Sequence, residues 1–151
     1  MTLFRERDIR GLIRDMLEQT GAFDGAYLSG LPEDRGERAG DGRAVSIEPS
    51  ETRQACPWDD ADGDPIMTCQ VALTILARDD DPRARDDLAE LLLNIAANAL
   101  WRSNLGGAAI ASRTQIRSWT WLPPQAPERR IKAVLEYQYL VDGLTGLNTA
   151  E

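Results

Sequence analysis

From Thr68 to Trp101 the chain passes from a two-residue alternation, T-C-Q-V-A-L-T-I-L, through Asp79-Asp80-Asp81 into the helical repeat P-R-A-R-D-D-L-A-E-L-L-L-N-I-A-A-N-A-L-W. Met67, Cys69, Val71, Leu73, Ile75 and Ala77 share one parity, and Thr68, Gln70, Thr74 and Arg78 the other. Six apolar residues on one side predict a sheet with one face buried, here over 67–77. Asp81-Pro82 predicts a helix start, with a carboxylate acceptor at the N-cap and proline at the first helical position. The helix is expected over 82–101, its stripe formed by Leu88, Leu91, Leu92, Ile95 and Ala99 and widened by Leu93, Ala96 and Leu100. A strand feeding a helix of this kind serves as a scaffold that holds a sheet and a helix together in layers.

The rest of the chain supplies partners for those layers. Residues 3 to 18 place Ile9, Leu12, Ile13, Met16 and Leu17 at helical spacing opposite a mixed-charge face, with Thr20-Gly21 as the stop. Residues 22–43 read as loop, with room for a short strand at Ala26-Tyr27-Leu28. Arg43 to Glu48 alternates as a strand that Pro49 is expected to close, leaving a second long loop over 49–65. Gln115–Leu122 and Arg130–Asp142 read as two further strands separated by a proline-rich connection, and Ala108–Ser112 is ambiguous. The expected fold is α+β: a mainly antiparallel four-stranded sheet with two helices packed on one face. It occupies residues 1–142 as one domain, and 143–151 form a flexible C-terminal tail.

Chemistry is harder to find. There is no histidine, which removes Ser-His-Asp and Cys-His catalysis and histidine metal sites. Cys56 and Cys69 stand thirteen apart with no other soft ligand, too little for a zinc site or a disulfide scaffold. The run Asp60-Ala-Asp62-Gly-Asp64 has calcium-type donors at alternate positions, yet an EF-hand starting there would need glycine at 65 and glutamate at 71, and the chain has Pro65 and Val71. No phosphate-binding glycine motif is present. We therefore expect no catalytic, metal or cofactor residues and no enzyme activity. A net charge of −8, from 17 basic and 25 acidic residues, disfavours gripping nucleic acid. Only one of the basic residues is lysine, a bias that suits arginine at interfaces and equally follows from a GC-rich genome. No run reaches the length of a membrane span and the N-terminus lacks a signal-peptide core, so no membrane partner and a cytoplasmic site of synthesis are expected.

The aromatic residues are the most suggestive. Arg117, Trp119 and Trp121 share a parity of one strand, either an exposed aromatic and arginine stripe or the core face of that strand. Trp58, in Pro57-Trp58 of the second loop, is a candidate anchor into a neighbouring subunit.

The order of an amphipathic helix, a strand ending near Glu48, a long loop, the strand 67–77, the Asp-Pro-started helix 82–101 and a closing strand pair resembles the tail-terminator (tail-completion) proteins of long-tailed bacteriophages, the lambda-like ones included. The resemblance covers most of residues 3–142 and is one of length and element order. It implies a non-enzymatic virion protein, assembled in the host cytoplasm, that forms a hexameric ring in the tail-neck region. Such a ring caps the tail tube and joins it to the head-side connector protein, and DNA passes through its channel without specific binding. A head-tail joining or neck protein, or a cytoplasmic small-molecule or peptide-binding module, are the alternatives. Trp58, Arg117, Trp119 and Trp121 are the expected subunit or partner contacts.

Overall fold

A computed structural model describes residues 3–4, 6–28, 30–32, 42–59, 65–141 and 148–149, with the backbone alone at 3–4, 51–59, 65, 140–141 and 148–149. The elements in order are β1 (Leu3–Phe4), α1 (Glu6–Gln19), β2 (Gly25–Tyr27), β3 (Arg43–Asp59), β4 (Pro65–Arg78), α2 (Pro82–Leu100), β5 (Gln115–Trp121), β6 (Glu128–Val141) and β7 (Asn148–Thr149), with short 3-10 turns at Leu105–Gly107 and Ala111–Arg113.

The sheet runs β2-β3-β4-β6, and the far side of β6 is shared between β5 along Ile131–Glu136 and β7 at Leu140–Val141. It is α+β as expected, but its main sheet has five strands and is mixed, because β2 pairs parallel to β3. Asp24 sets up that pairing by binding Arg43 twice: its N–H donates to the Arg43 carbonyl at 2.7 Å, and its carboxylate accepts from the Arg43 N–H at 3.0 Å. Asn148–Thr149, inside the segment 143–151, pair with β1 and β6.

Both helices pack on one face. Val45 and Ile47 of β3, Cys69 to Ala77 at alternate positions of β4, and Ile131, Ala133, Leu135, Tyr137 and Tyr139 of β6 meet Ile9, Ile13 and Leu17 of α1 and the stripe of α2. The opposite face is mostly polar, with Ala72 paired to Val134 across β4 and β6 and a small cluster of Leu31, Ala44 and Leu76 beside Tyr27. At one end of the core the Tyr137 and Tyr139 rings lie 6.0 Å apart, and the Tyr139 hydroxyl donates to Glu6 at 3.0 Å. Burial pushes the Tyr137 hydroxyl well above its ordinary pKa, and neighbouring Cys69 adds to the shift.

The helix signals are built as the chemistry requires. Asp81 Oδ2 accepts from Ala84 N–H at 3.3 Å, with Pro82 opening α2. At the end of α1, Thr20 Oγ1 donates to Leu17 O at 2.6 Å and Gly21 takes a left-handed φ of 71°. The phase of α2 departs from expectation. Its buried stripe is Arg85, Ala89, Leu92, Leu93, Ala96 and Leu100, while Leu91 is 54% exposed. With leucines at four of the six positions 88–93, leucine density alone marks no single face.

The second correction concerns Pro49, which does not close β3, and the expected loop 49–65 is mostly strand. The Arg78 N–H donates to Gly42 O at 2.8 Å, so Gly42, Ala44, Ser46 and Glu48 bond across to β4 while Arg43, Val45, Ile47 and Pro49 turn their backbone groups away. Pro49 lies beyond the last β2 pair at Ser46, so its missing N–H costs no ladder bond. The pairing slips between Pro49 and Arg53 and continues to Asp59 opposite Pro65, forming a hairpin arm.

Candidate functional site

The predicted tryptophan strand is the edge β5, and its register decides what the tryptophans do. Ile116 pairs with Leu135, but the next pair is Ser118 with Val134, so Arg117 is the extra residue of a β-bulge. The bulge shifts the alternation by one. Ile116, Trp119 and Trp121 therefore stand opposite Leu135, Ala133 and Ile131, the helix-side face of β6. Arg117 loses its parity with the two tryptophans, which corrects the expected three-residue stripe.

Trp119 and Trp121 thus belong to the core-side face, yet they are 57% and 37% exposed. The cause is the position of α2, which lies over β4 and β6 and leaves β5 along its flank. Between flank and strand runs a groove of about 140 Å³, lined by Glu90, Leu93, Asn94 and Ala97 of α2 and by Ile116, Trp119 and Trp121 of β5. The two readings of the tryptophans, core face or exposed stripe, meet here: the face is right for a core, and nothing among the described residues covers it.

The rim is braced. The Arg129 guanidinium sits 4.8 Å from the centroid of Trp121, and its Nε is 3.6 Å from Asp86 Oδ1 on α2. A cation–π contact of this kind contributes about 0.5–1 kcal/mol at a partly exposed site. The half-exposed Asp86 adds at most about 1 kcal/mol. Their main effect is to hold one indole in place. Trp101, at the C-terminal cap of α2, is 58% exposed with Arg102 5.9 Å from its ring.

The open side of β5 adds backbone groups. Leu122 N–H donates to Arg130 O at 3.0 Å, which makes Leu122, Thr120 and Ser118 the positions bonded to β6. The N–H and C=O groups of Trp119 and Trp121 accordingly face away from β6, where no described strand pairs with them. Apolar surface, indole N–H donors and open strand amides in one place suit an extended polypeptide segment bearing an apolar anchor.

Of the four expected contact residues, the structure brings Trp119 and Trp121 together and puts Arg117 in the adjoining bulge. Trp58 lies in β3 close to the arm tip, and its side chain is outside the described residues, as is the acidic segment 60–64. The arm tip is at the other end of the sheet. Asp59 pairs with Pro65, whereas Trp121 is level with Ile131 and Ile75, ten residues further along β4, roughly 33 Å at about 3.3 Å per residue. Ile116, Arg129 and the Leu93–Ala97 flank were not anticipated as site residues. The spacing of three between Ile116 and Trp119 is the one sequence signal for the bulge that unites them.

Other hollows are present among the described residues. One of about 200 Å³ lies by Leu122, Pro123, Gln125, Glu128 and Arg130, and its carboxylate is held by Arg78 at 2.9 Å and Arg130 at 3.4 Å. The other is a shallow depression of about 370 Å³ along the charged side of α1. Among the described residues no helix is long and apolar enough to cross a membrane.

No family model matches the chain, and no curated protein matches it. Among solved structures, a chain from the virion of a native gene transfer agent particle aligns with a TM-score of 0.44 and 13% identity, over 87% of this chain and 93% of that one.

Proposed function

We propose that the protein is a structural virion component that assembles head to tail into a ring, caps the phage tail tube and joins it to the head-side connector. The observation that carries this reading is the separation of two dissimilar features on one sheet: the tryptophan groove with its open edge on β5, and the hairpin arm of β3 and β4 at the far end. One molecule cannot bring them together. Surfaces of this kind make heterologous contacts, which close into rings when the rotation per subunit permits. A hexamer is the expected closure, from the resemblance in element order to tail-terminator proteins. The charge of −8 suits a channel that DNA crosses without adhering.

Solution mass by light scattering, followed by negative-stain imaging with and without purified tail tubes, tests the reading. Rings at tube ends are expected. A stable monomer that never forms rings, even with tubes present, refutes it. Rings that bind the connector but not the tube assign the head-tail joining role instead. A second reading, a peptide-binding module, draws on the open amides of Trp119 and Trp121 beside an apolar groove. It predicts a permanent monomer that takes up extended peptides.

A further inference from the structure

The groove between α2 and β5 is graded in charge from one end to the other. Arg129 ties Trp121 to Asp86 near the start of α2, so the Trp121 end of β5 lies beside Glu90 and the Ile116 end beside Ala97. Asp86 is matched by Arg129. Glu90, one helical turn further on, is exposed, lines the groove and has no hydrogen-bond or ion-pair partner among the described residues. One end of the groove therefore carries an unmatched negative charge, and the other is apolar. On the opposite face of the sheet Thr120, the residue between the two tryptophans, pairs with Lys132, and both are exposed.

From this gradient we infer that the groove and the open edge of β5 take an extended segment of a different protein by antiparallel strand addition, and that the segment reads basic, polar, apolar at three successive positions. In an antiparallel pair each outward-facing edge residue exchanges two backbone bonds with the residue opposite it, so Trp119 and Trp121 engage guest positions two apart. Both of those guest side chains stand on the tryptophan face, and the one between them points to the side of Thr120 and Lys132. The guest strand lies about 4.8 Å beyond β5. A lysine or arginine opposite Trp121 is long enough to carry its charge across the indole to Glu90, and a carboxylate there is repelled. Opposite Trp119 an apolar side chain packs on the second indole, towards Ile116. Because the strands run in opposite directions, the basic residue comes first in the guest. The inference rests on the reading of the groove as a seat for extended peptides and does not depend on the ring.

Titration of the full-length chain with short peptides tests it, at a concentration where scattering shows monomer. The probes are end-blocked peptides with glycine and serine flanks around the core Arg-Thr-Leu, the reversed core Leu-Thr-Arg, the acidic core Glu-Thr-Leu, and Arg-Thr-Leu methylated on the arginine and leucine amide nitrogens. Tryptophan emission should shift to the blue as Trp119 and Trp121 are covered. The Arg-Thr-Leu peptide is expected to bind about tenfold more tightly than the acidic one, the effect of turning one exposed ion pair into a repulsion. It should also outbind the reversed core, and amide methylation should abolish binding. Glu90→Arg is expected to invert the charge preference, so that Glu-Thr-Leu binds more tightly than Arg-Thr-Leu. Circular dichroism and the melting temperature check that the variant folds.

Equal binding of the basic and acidic cores, or an unchanged preference in Glu90→Arg, overturns the inference while the groove stands as a peptide seat. Equal binding of the reversed core or of the methylated peptide overturns antiparallel addition, and the inference with it. If no peptide shifts the emission up to millimolar concentration, the inference and the peptide reading fall together and the ring reading is untouched.

Discussion

Leu91 and Leu92 are neighbours in α2, and replacing each by alanine separates the observed helix phase from the phase that leucine density suggests. Leu92 is 1% exposed inside the core, and truncating it removes apolar atoms from water-free packing and leaves a cavity. The cost for such a site is about 3 kcal/mol, within a range of about 2–5. Leu91 is 54% exposed. A fully buried leucine is worth about 1.5–3 kcal/mol, so the buried half of Leu91 contributes roughly 1 kcal/mol, and alanine's better helix propensity returns a few tenths. In a domain of this size each kcal/mol moves the melting temperature by about 2–4 °C. Leu92→Ala is therefore expected to melt roughly 6–12 °C lower and Leu91→Ala within about 4 °C of the parent. The assay is thermal and urea unfolding at a concentration where scattering shows monomer, because assembly makes melting concentration-dependent. Equal losses for the two variants, or a larger loss at Leu91, would refute the helix phase and with it the position of the groove-lining flank.

Three further outcomes follow from local chemistry. Asp81→Ala removes the acceptor for the Ala84 N–H, and urea unfolding should show a loss of about 1 kcal/mol, whereas Asp81→Asn should retain most of the cap. Gly42→Ala places a methyl group against Arg78 Cβ at a φ of 90°, and a loss above about 1 kcal/mol is expected from the same assay. The pH dependence is set by Tyr137, whose folded pKa is raised. The unfolded chain loses this proton from its ordinary value of 10.0 upward while the folded chain keeps it. Stability from this group is thus intact below pH 10 and falls above it by about 1.4 kcal/mol per pH unit. Ultraviolet titration should show Tyr137 ionising only as the protein unfolds, and Tyr137→Phe should remove that part of the alkaline loss.

Much of the architecture is legible in the residues because it depends on signals that act within a few positions. Asp81-Pro82 starts α2, Thr20-Gly21 ends α1, and the alternation of Met67 to Ala77 and of Ile131 to Tyr139 names the buried face of β4 and β6. The absence of histidine limits the chemistry by composition alone. Other features depend on what lies alongside. Pro49 looks like a strand end until its N–H position is found to face an edge that β2 has already left. The run of leucines fits several helix phases, and contact with β4 and β6 selects the one that exposes Leu91. Trp119 and Trp121 have the pattern of a core strand, and a single bulge at Arg117 aligns them with Ile116 while α2 stops short of covering them. Local propensity and periodicity act over one or two turns of chain. Register, edge position and helix phase are set by competition among partners far apart in sequence, and at β5 that competition leaves an apolar face that no described residue covers.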